Sequence, residues 1–342
     1  MREMLFAWMV FAAVSCTGSP PDIDQQKQLH TVTGETMGTT YTVKVVSADG
    51  TFDHARARLA IEQRLAQINS RMSHYLADSE VATFNRSFTT EPYPLASETV
   101  GVIAKANEIS RVSSGAFDVT VGPLVDAWGF GPREPPTTLP GSEALDEVRA
   151  FVGYELLVVD REASTVQKQR KEVTVDLSAI AKGHAVDAVA AILADFGLTD
   201  YLVEIGGELR ASGNGQQDRP WRVAIERPDS GQVSTTRIIE LRDQSIATSG
   251  EYRNYYERDG VRVSHTIDPR TGRPVSHELL AVSVLADHCI LADARATALE
   301  VLGPVDGYAL AIEQGWVALF LIRGEDGTFI ERATPTFDQH LE

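Results

Sequence analysis

Apolar and polar residues alternate along this chain with two different periods. A period of two over residues 39–46 predicts a strand, and apolar residues at helical spacing over residues 53–72 predict a helix. A second helix is expected over residues 97–112, with Ser97 as its N-cap. Glycine and proline are frequent between residues 129 and 141, which indicates a loop or a subdomain boundary.

The second half of the chain has more strand-like segments than helical ones. One helix is expected around residues 186–196 and another over residues 291–302. Strands that follow one another in meanders, with a few flanking helices, predict an α+β fold with largely antiparallel sheets, in one large domain or two subdomains. The predicted strands of this half are 156–159, 173–177, 201–205, 221–225, 237–241, 261–267 and 280–285.

The composition is that of a globular protein with a strong negative charge. Of the 342 residues, 43% are hydrophobic and 23% are charged, which is ample for a buried core. Asp and Glu total 48 against 31 for Lys and Arg, and the net charge of -17 makes nucleic acid an unlikely partner because its phosphates would be repelled. Any anionic ligand must therefore be held locally by a metal ion, backbone amides or a helix N-terminus.

Residues 1–15 have the organisation of a signal peptide. A short polar start precedes an apolar run over residues 5–14 that is too short to span a bilayer as a mature helix. The order Ala13-Val14-Ser15-Cys16 resembles a bacterial lipobox, whose cysteine receives lipid; an ordinary cleaved signal and a misassigned start are the alternatives. We therefore expect a lipid anchor on Cys16 at the periplasmic side of the inner membrane, a flexible tether over 16–33, and a folded domain over 34–335. Cys289 then has no partner for a disulfide.

The segment 176–183 brings a carboxylate and a lysine to the junction of a predicted strand and helix. Asp176 could accept hydrogen bonds from a heterocycle or a sugar hydroxyl, and Lys182 could neutralise phosphate oxygens. The alternative is that Asp176 only caps the helix and Lys182 is solvated. The common dinucleotide, P-loop, hydrolase-elbow and zinc-helix motifs are absent from the sequence.

Asp293 and Thr297 are four residues apart and so share one face of a predicted helix. A carboxylate and a hydroxyl oxygen on one face suit Mg²⁺, although a helix cap beside a packed threonine would give the same pattern. His265, at the end of a predicted strand, is the best candidate for a general base, and a structural histidine is the alternative.

Two further segments, Met72-Ser73-His74-Tyr75 and Ser114-Gly115-Ala116-Phe117-Asp118, carry aromatic side chains that could clasp a flat ring, although each taken singly is more typical of the core. The segment 34–40 adds a flexible polar entry, in which we expect Met37 to be exposed among glycines and threonines.

Taken in order, these segments resemble the FAD:protein FMN transferases, the flavin transferases of the ApbE type. The similarity runs from about Gly34 to beyond Leu302. The segments that carry it are Thr36-Met37-Gly38-Thr39, Met72-Ser73-x-Tyr75, 114–118, 176–183, Ile205-Gly206-Gly207-Glu208, Ser249-Gly250-x-Tyr252, 265–272 and Ala292-Asp293-Ala294.

The resemblance implies Mg²⁺-dependent transfer of the FMN part of FAD to a Thr or Ser hydroxyl of a partner protein, with release of AMP. It implies His265 as the catalytic base, and Mg²⁺ ligands at the Ala179 carbonyl, Asp293 and Thr297. Ala296 stands where some members have a second carboxylate. The acceptor would be a subunit of a membrane redox complex. The residues that the resemblance assigns to FAD are Met37, Tyr75, Ala116, Phe117, Asp118, Asp176, Lys182 and Ile267.

Two other functions use the same pocket. An FAD pyrophosphatase would use water as the nucleophile and yield FMN and AMP. A non-catalytic flavin-binding lipoprotein would hold FAD without turnover.

Overall fold

The computed structural model describes residues 27–48, 52–131, 138–227, 234–250, 255–258, 261–325 and 327–340. Helices and strands alternate along these residues. None of the helices described is both long and apolar enough to cross a lipid bilayer. The helices are α1 (His54–Met72), α2 (Glu80–Arg86), α3 (Ser97–Val112), α4 (Gly122–Ala127), α5 (Ser142–Arg149), α6 (Ala181–Asp195) and α7 (Cys289–Glu313).

The strands form one large sheet and several small ones. They are β1 (Lys27–Thr36), β2 (Thr39–Ala48), β3 (Tyr93–Pro94), β4 (Leu157–Asp160), β5 (Thr165–Lys168), β6 (Tyr201–Ile205), β7 (Glu208–Ser212), β8 (Trp221–Arg227), β9 (Ser234–Leu241), β10 (Ser245–Gly250), β11 (Tyr255–Arg258), β12 (Val261–Ser264), β13 (Ile267–Asp268), β14 (Arg273–Pro274), β15 (Leu279–Ala286), β16 (Val317–Arg323) and β17 (Phe329–Ala333). The large sheet has the order β1-β2-β6-β7-β10-β15-β16-β17. Every strand pair in the described residues is antiparallel, which confirms the predicted α+β class.

The largest core cluster joins the first strands of the sheet to the helices that cover them. Tyr41 and Val203 from β2 and β6 are buried together with Ile61, Ile103 and Val189 from α1, α3 and α6. These helical residues lie on the apolar faces that the sequence spacing predicts. Burial of each such side chain contributes about 1.5–3 kcal/mol, so the core fixes α6 firmly against the sheet.

The turn between β6 and β7 requires glycine. Gly206 and Gly207 have φ angles of 59° and 100°, which L-residues with side chains rarely adopt. A Cβ on Gly206 would also lie 2.8 Å from Thr39 Cγ2.

The prediction of a strand over residues 173–177 is wrong. A side chain takes the place of a neighbouring strand there: Val175 N donates to Asn85 Oδ1 at 2.7 Å, and Asn85 Nδ2 donates to the Val175 carbonyl at 2.8 Å. Asp176 N donates to the carbonyl of Val119 at 2.7 Å. The segment is buried and satisfied, as a strand would be, but it belongs to no sheet.

Two helix boundaries differ from the prediction. Ala96, not Ser97, is the N-cap of α3, and the carboxylate of Glu80 accepts the Ala96 amide at 2.6 Å. Helix α7 continues beyond 302, with a break at Gly303, whose φ is 77°, immediately before Pro304.

The predicted tether is wrong for its last seven residues. Residues 27–33 belong to β1, which pairs with β2 along its whole length. The rest of the tether, the signal peptide and Cys16 lie outside the described residues. Cys289 is buried and makes no disulfide within the described residues.

Candidate active site

A cleft of about 1000 Å³ lies between the middle of the large sheet, the start of α6, one face of α7 and the segment around β13. It brings together residues that are far apart in sequence. The predicted site residues that line it are Tyr75, Ala116, Phe117, Asp118, Asp176, Ala179, Lys182, His265, Ile267, Asp293 and Thr297.

Met37 is the predicted FAD-binding residue that the structure does not place among the lining residues. It stands in the two-residue turn between β1 and β2, with a φ of 50°, next to Gly38. Its side chain is half-buried and packs against the large core cluster instead of projecting from an exposed loop. Thr39 and Thr40, directly after the turn, line the cleft in its place.

Helices α6 and α7 touch at the predicted metal ligands. The Gly183 amide donates to Asp293 Oδ2 at 2.8 Å. Gly183 is the third residue of α6, and the amides of the first residues of a helix have no carbonyl partner within it. Asp293 therefore caps α6 at this amide, and Ala179, which precedes the helix, lines the same cleft.

The same contact explains why residue 183 is glycine. A Cβ at this position would lie 2.4 Å from the Cys289 carbonyl oxygen and 2.8 Å from Asp293 Cβ. The two helix backbones therefore approach each other at a distance that no other residue permits.

One face of α7 presents three oxygen-bearing side chains to the cleft. Asp293 and Thr297 are joined there by Glu300, which sequence reasoning missed and which is buried. The Thr297 hydroxyl lies 3.3 Å from Ser249 Oγ on β10. Ala296 is on a different face, fully buried in an apolar cluster against β15 and β16, so the absent second carboxylate leaves no gap in the lining.

Lys182 stands between two buried carboxylates. Its ammonium pairs with Glu208. Burial disfavours the charged lysine, but the carboxylates of Asp293 and Glu208 outweigh it and raise the pKa of Lys182. Burial and the Asp293 charge raise the pKa of Glu208 to about 8, and burial also raises that of Asp293. Two carboxylates and one ammonium thus share a site that gains from a further cation.

Asp118 is held entirely by the protein. Its Oδ1 accepts the Thr120 amide at 2.7 Å and the Thr120 hydroxyl at 2.6 Å, and its Oδ2 accepts the Tyr154 amide at 2.7 Å. Burial raises the pKa of Asp118 to about 6. The carboxyl therefore shapes the loop, and the residue faces a ligand chiefly through its backbone.

Asp176 uses one of its two oxygens for the protein. Oδ1 accepts the Ser178 amide at 2.9 Å and the Ser178 hydroxyl at 2.7 Å, and it lies 3.1 Å from His74 Nδ1. Among the described residues the Asp176 carboxylate makes no other polar contact, so Oδ2 is left for a ligand. Tyr75, next to His74, is 62% exposed at the mouth of the cleft.

His265 lines the cleft between β12 and β13 and is half-buried. Its ring lies edge-on to Phe130, with 6.2 Å between the centroids. The predicted turn follows it: Gly272 N donates to the Asp268 carbonyl at 2.8 Å, and Asp268 Oδ1 accepts the Arg270 amide at 2.9 Å. This turn fixes the backbone after the candidate base.

The donors around Asp293 fit a magnesium ion. One carboxylate, one hydroxyl and one carbonyl are oxygen ligands, which Mg²⁺ prefers, and several positions remain for water or phosphate oxygens. The described residues contain no group of three or more His, Cys, Asp or Glu side chains placed to hold a metal ion, so a site here depends on the hydroxyl and carbonyl oxygens as well. The carboxylates that line the cleft far outnumber Lys182: they are Asp118, Asp176, Glu204, Glu208, Glu226, Asp293 and Glu300.

Sequence reasoning left Glu208, Glu300 and His74 without a role. Glu208 belongs to the segment 205–208, which carries part of the resemblance. Glu300 follows Asp293 and Thr297 on the same helix face, one turn further on. No signal in the sequence could pair His74 with Asp176. Tyr252, from another of the segments, lies outside the described residues.

Comparisons with known proteins agree with this site. A profile of the ApbE family matches residues 37–321. The FAD:protein FMN transferase of Vibrio cholerae is 44% identical over 92% of this chain and 93% of its own, and that of Escherichia coli K12 is 34% identical over 99% and 97%. The flavin transferase ApbE structure from V. cholerae superposes with a TM-score of 0.85 at 41% identity, covering 92% of this chain and 100% of that one. The Pseudomonas stutzeri apo flavinyl transferase ApbE gives 0.85 at 39%, covering 92% and 98%. The cleft, the fold and these similarities lead to one conclusion: the chain belongs to the ApbE family.

Proposed function

We propose that this protein transfers the FMN part of FAD to a threonine or serine hydroxyl of a partner protein and releases AMP. The observation that carries the proposal is the contact between α6 and α7, where the Gly183 amide holds Asp293 beside Lys182 at the edge of the cleft. A cleft of about 1000 Å³ beside this contact is large enough for a dinucleotide.

The acceptor oxygen forms a bond to the phosphorus on the flavin side of FAD. The bond from that phosphorus to the bridging oxygen breaks, and AMP leaves with the bridging oxygen. His265 takes the proton of the acceptor hydroxyl, because a neutral imidazole is a competent base near pH 7. A base of this kind contributes roughly 10² to 10⁴-fold to the rate.

Asp293, Thr297 and the Ala179 carbonyl would hold Mg²⁺. When bound, the ion supplies positive charge to the diphosphate oxygens and to the leaving phosphate. Lys182 lies beside Asp293 and adds a second positive charge to the same region. The chain is strongly acidic, so this local reversal of sign is what admits an anionic substrate.

The flavin end of the nucleotide is assigned to the other half of the cleft. Tyr75 and Phe117 offer aromatic surface, Asp176 offers the oxygen that the protein leaves unused, and Ile267 offers apolar contact. Ala116 and Asp118 contribute backbone groups. Met37 packs against the large core cluster.

The acceptor and the location of the protein are part of the proposal. The lipobox-like order before Cys16 supports a lipid anchor at the periplasmic side of the inner membrane. An enzyme anchored there would meet acceptor domains of membrane redox complexes that face the same side.

A direct test combines the purified protein, FAD, Mg²⁺ and a flavin-free acceptor domain that carries a threonine target. We expect a fluorescent flavin band on the acceptor in a denaturing gel, together with one AMP per label. The matched control is the acceptor with that threonine changed to valine, which should stay dark. AMP and FMN release without labelling would replace the proposal with FAD pyrophosphatase activity, and intact bound FAD would replace it with a carrier function.

A further inference from the structure

His74 contacts two of the groups that the proposed function assigns to the flavin nucleotide. Its Nδ1 lies 3.1 Å from Asp176 Oδ1, and its ring centroid lies 4.0 Å from that of Tyr75, with the planes tilted by 40°. His74 itself is not among the residues that line the cleft. His74 therefore lies outside the cleft and contacts two of the residues that line it, the acidic Asp176 and the aromatic Tyr75.

The polar contacts of the Asp176 carboxylate all fall on one of its two oxygens. Ser178 and His74 both meet Oδ1, and only the other oxygen remains for a ligand. A partial rotation about the Cβ–Cγ bond would break these bonds and turn the open oxygen to a new direction. The donors on the His74 side therefore fix the plane of the carboxylate.

The charge of His74 also matters in this cleft. The charged and titratable groups that face His74 are Asp176 before α6, Asp126 on α4 and its neighbour Tyr75. Burial opposes protonation, but the hydrogen bond to Asp176 and the charges of Asp176 and Asp126 outweigh it and raise the pKa of His74. Burial would raise the pKa of Asp176, yet the bonds from His74 and Ser178 outweigh it and lower that pKa. The contact therefore favours an imidazolium beside a carboxylate over the neutral pair.

We propose that His74 is a positioning residue of the nucleotide site: it orients Asp176 and Tyr75 for the flavin nucleotide, and its positive charge strengthens the binding of FAD. The inference rests on the proposed function. When His74 loses its proton, a neutral imidazole can still donate to Asp176, so the geometry persists while the charge is lost. An anionic dinucleotide then meets one more uncompensated negative charge, and its affinity falls.

The sign of the pH dependence follows. His74 is charged below its raised pKa and neutral above it, so FAD should bind more weakly as pH rises from about 6.5 upward. At a separation of about 10 Å in a solvent-accessible cleft, the lost attraction for a dianion corresponds to roughly a fivefold change in Kd.

The experiment measures the Kd of FAD by quenching of flavin fluorescence between pH 6 and pH 9. Mg²⁺ is saturating, no acceptor is present, and chromatography checks that FAD stays intact. The variant His74→Asn keeps a neutral donor near the position of Nδ1, and His74→Ala removes it. His54→Asn is the control, because His54 is exposed on α1 and does not line the cleft. Glu208 titrates in the same range, so the informative quantity is the difference between each variant and the wild type.

Across this pH range, we expect the affinity for FAD of the wild type and of His54→Asn to fall about fivefold more than that of His74→Asn. His74→Ala should bind more weakly than His74→Asn at every pH. Parallel profiles for the wild type and His74→Asn would overturn the inference while leaving the proposed function intact. Failure of the wild type to bind FAD at any pH would instead overturn the proposed function.

Nuclear magnetic resonance of the imidazole nitrogens gives a second readout that needs no substitution. If the charge of His74 strengthens FAD binding, then FAD must raise the pKa of His74 by the same linkage. An unchanged or lowered His74 pKa in the FAD-saturated protein would contradict the inference.

Discussion

At the α6–α7 end of the cleft the groups that face a ligand are mostly buried and charged, whereas the Tyr75 end offers aromatic and apolar surface, with Tyr75 exposed and Phe117 and Ile267 buried. Asp293, Glu208 and Lys182 act on one another in a region of low solvent access, so a single charge changes the pKa of its neighbours. Under the proposed function, electrostatics dominates at the end assigned to the phosphates, and surface contact dominates at the end assigned to the flavin. The two ends should therefore respond differently to substitution.

Asp293→Asn should have the largest effect. Asparagine keeps an oxygen for the Gly183 amide but removes the charge that the metal needs. We expect Mg²⁺-dependent AMP release to fall about 10³-fold, or roughly 4 kcal/mol, and Mg²⁺ binding by calorimetry to weaken in parallel. The control is Asp195→Asn, an exposed acid at the end of α6. Wild-type turnover in Asp293→Asn would refute the metal assignment.

Gly183→Ala tests the contact that creates this end. The new methyl group would meet the Cys289 carbonyl at 2.4 Å, so α6 and α7 must move apart. We expect a loss of about 3 kcal/mol in the free energy of unfolding, measured with urea. Gly101→Ala is the matched control, because Gly101 lies within α3 and a Cβ there would meet no heavy atom within 4 Å outside its own helix. Alanine at this position should stabilise the protein by about 0.5–1 kcal/mol. Equal stability of the two variants would mean that the helices do not touch as described.

His265→Ala separates chemistry from binding. We expect kcat to fall about 10²-fold, or roughly 2.7 kcal/mol, because the acceptor hydroxyl loses its base. The Kd of FAD, measured by fluorescence quenching, should stay within about twofold of the wild type. If FAD affinity collapsed while kcat held, His265 would be a binding residue and the base would be another group.

Tyr75→Ala probes the flavin end and should have the smallest effect. Loss of an exposed aromatic ring should raise the Kd of FAD by about tenfold, or roughly 1.4 kcal/mol, with kcat at saturating FAD little changed. Tyr75→Phe keeps the ring and should bind FAD as the wild type does. An effect on kcat as large as that of Asp293→Asn would remove the distinction between the two ends.

Much of the fold follows from the sequence because the core faces repeat with a regular period. The apolar residues of α1 and α6 and the alternation in β2 predicted these elements correctly. The failures have local physical causes. Polar residues face solvent along β1, an outer strand of the sheet, so its sequence looked like a tether. The segment 173–177 has the burial of a strand, but the Asn85 side chain provides its hydrogen bonds.

The candidate site was also predictable only in part. Local sequence segments predicted most of the residues that line the cleft, because a ligand-binding turn or helix start carries its polar groups close together in sequence. Contacts between distant segments were not predictable. The bond from the Gly183 amide to Asp293, the contact of His74 with Asp176, and the placement of Glu300 depend on how helices and strands pack. Met37 shows the opposite case. Its segment resembles the family motif, but its side chain packs against the core.

The hydrogen bond between Gly183 and Asp293 joins residues that are 110 positions apart in the chain. A fragment that ends before α7 lacks the carboxylate that caps the Gly183 amide, and that amide then has no partner within α6. The proposed metal site thus forms only when α7, near the end of the polypeptide, has docked on α6. Deuterium uptake at the Gly183 amide reports that event directly.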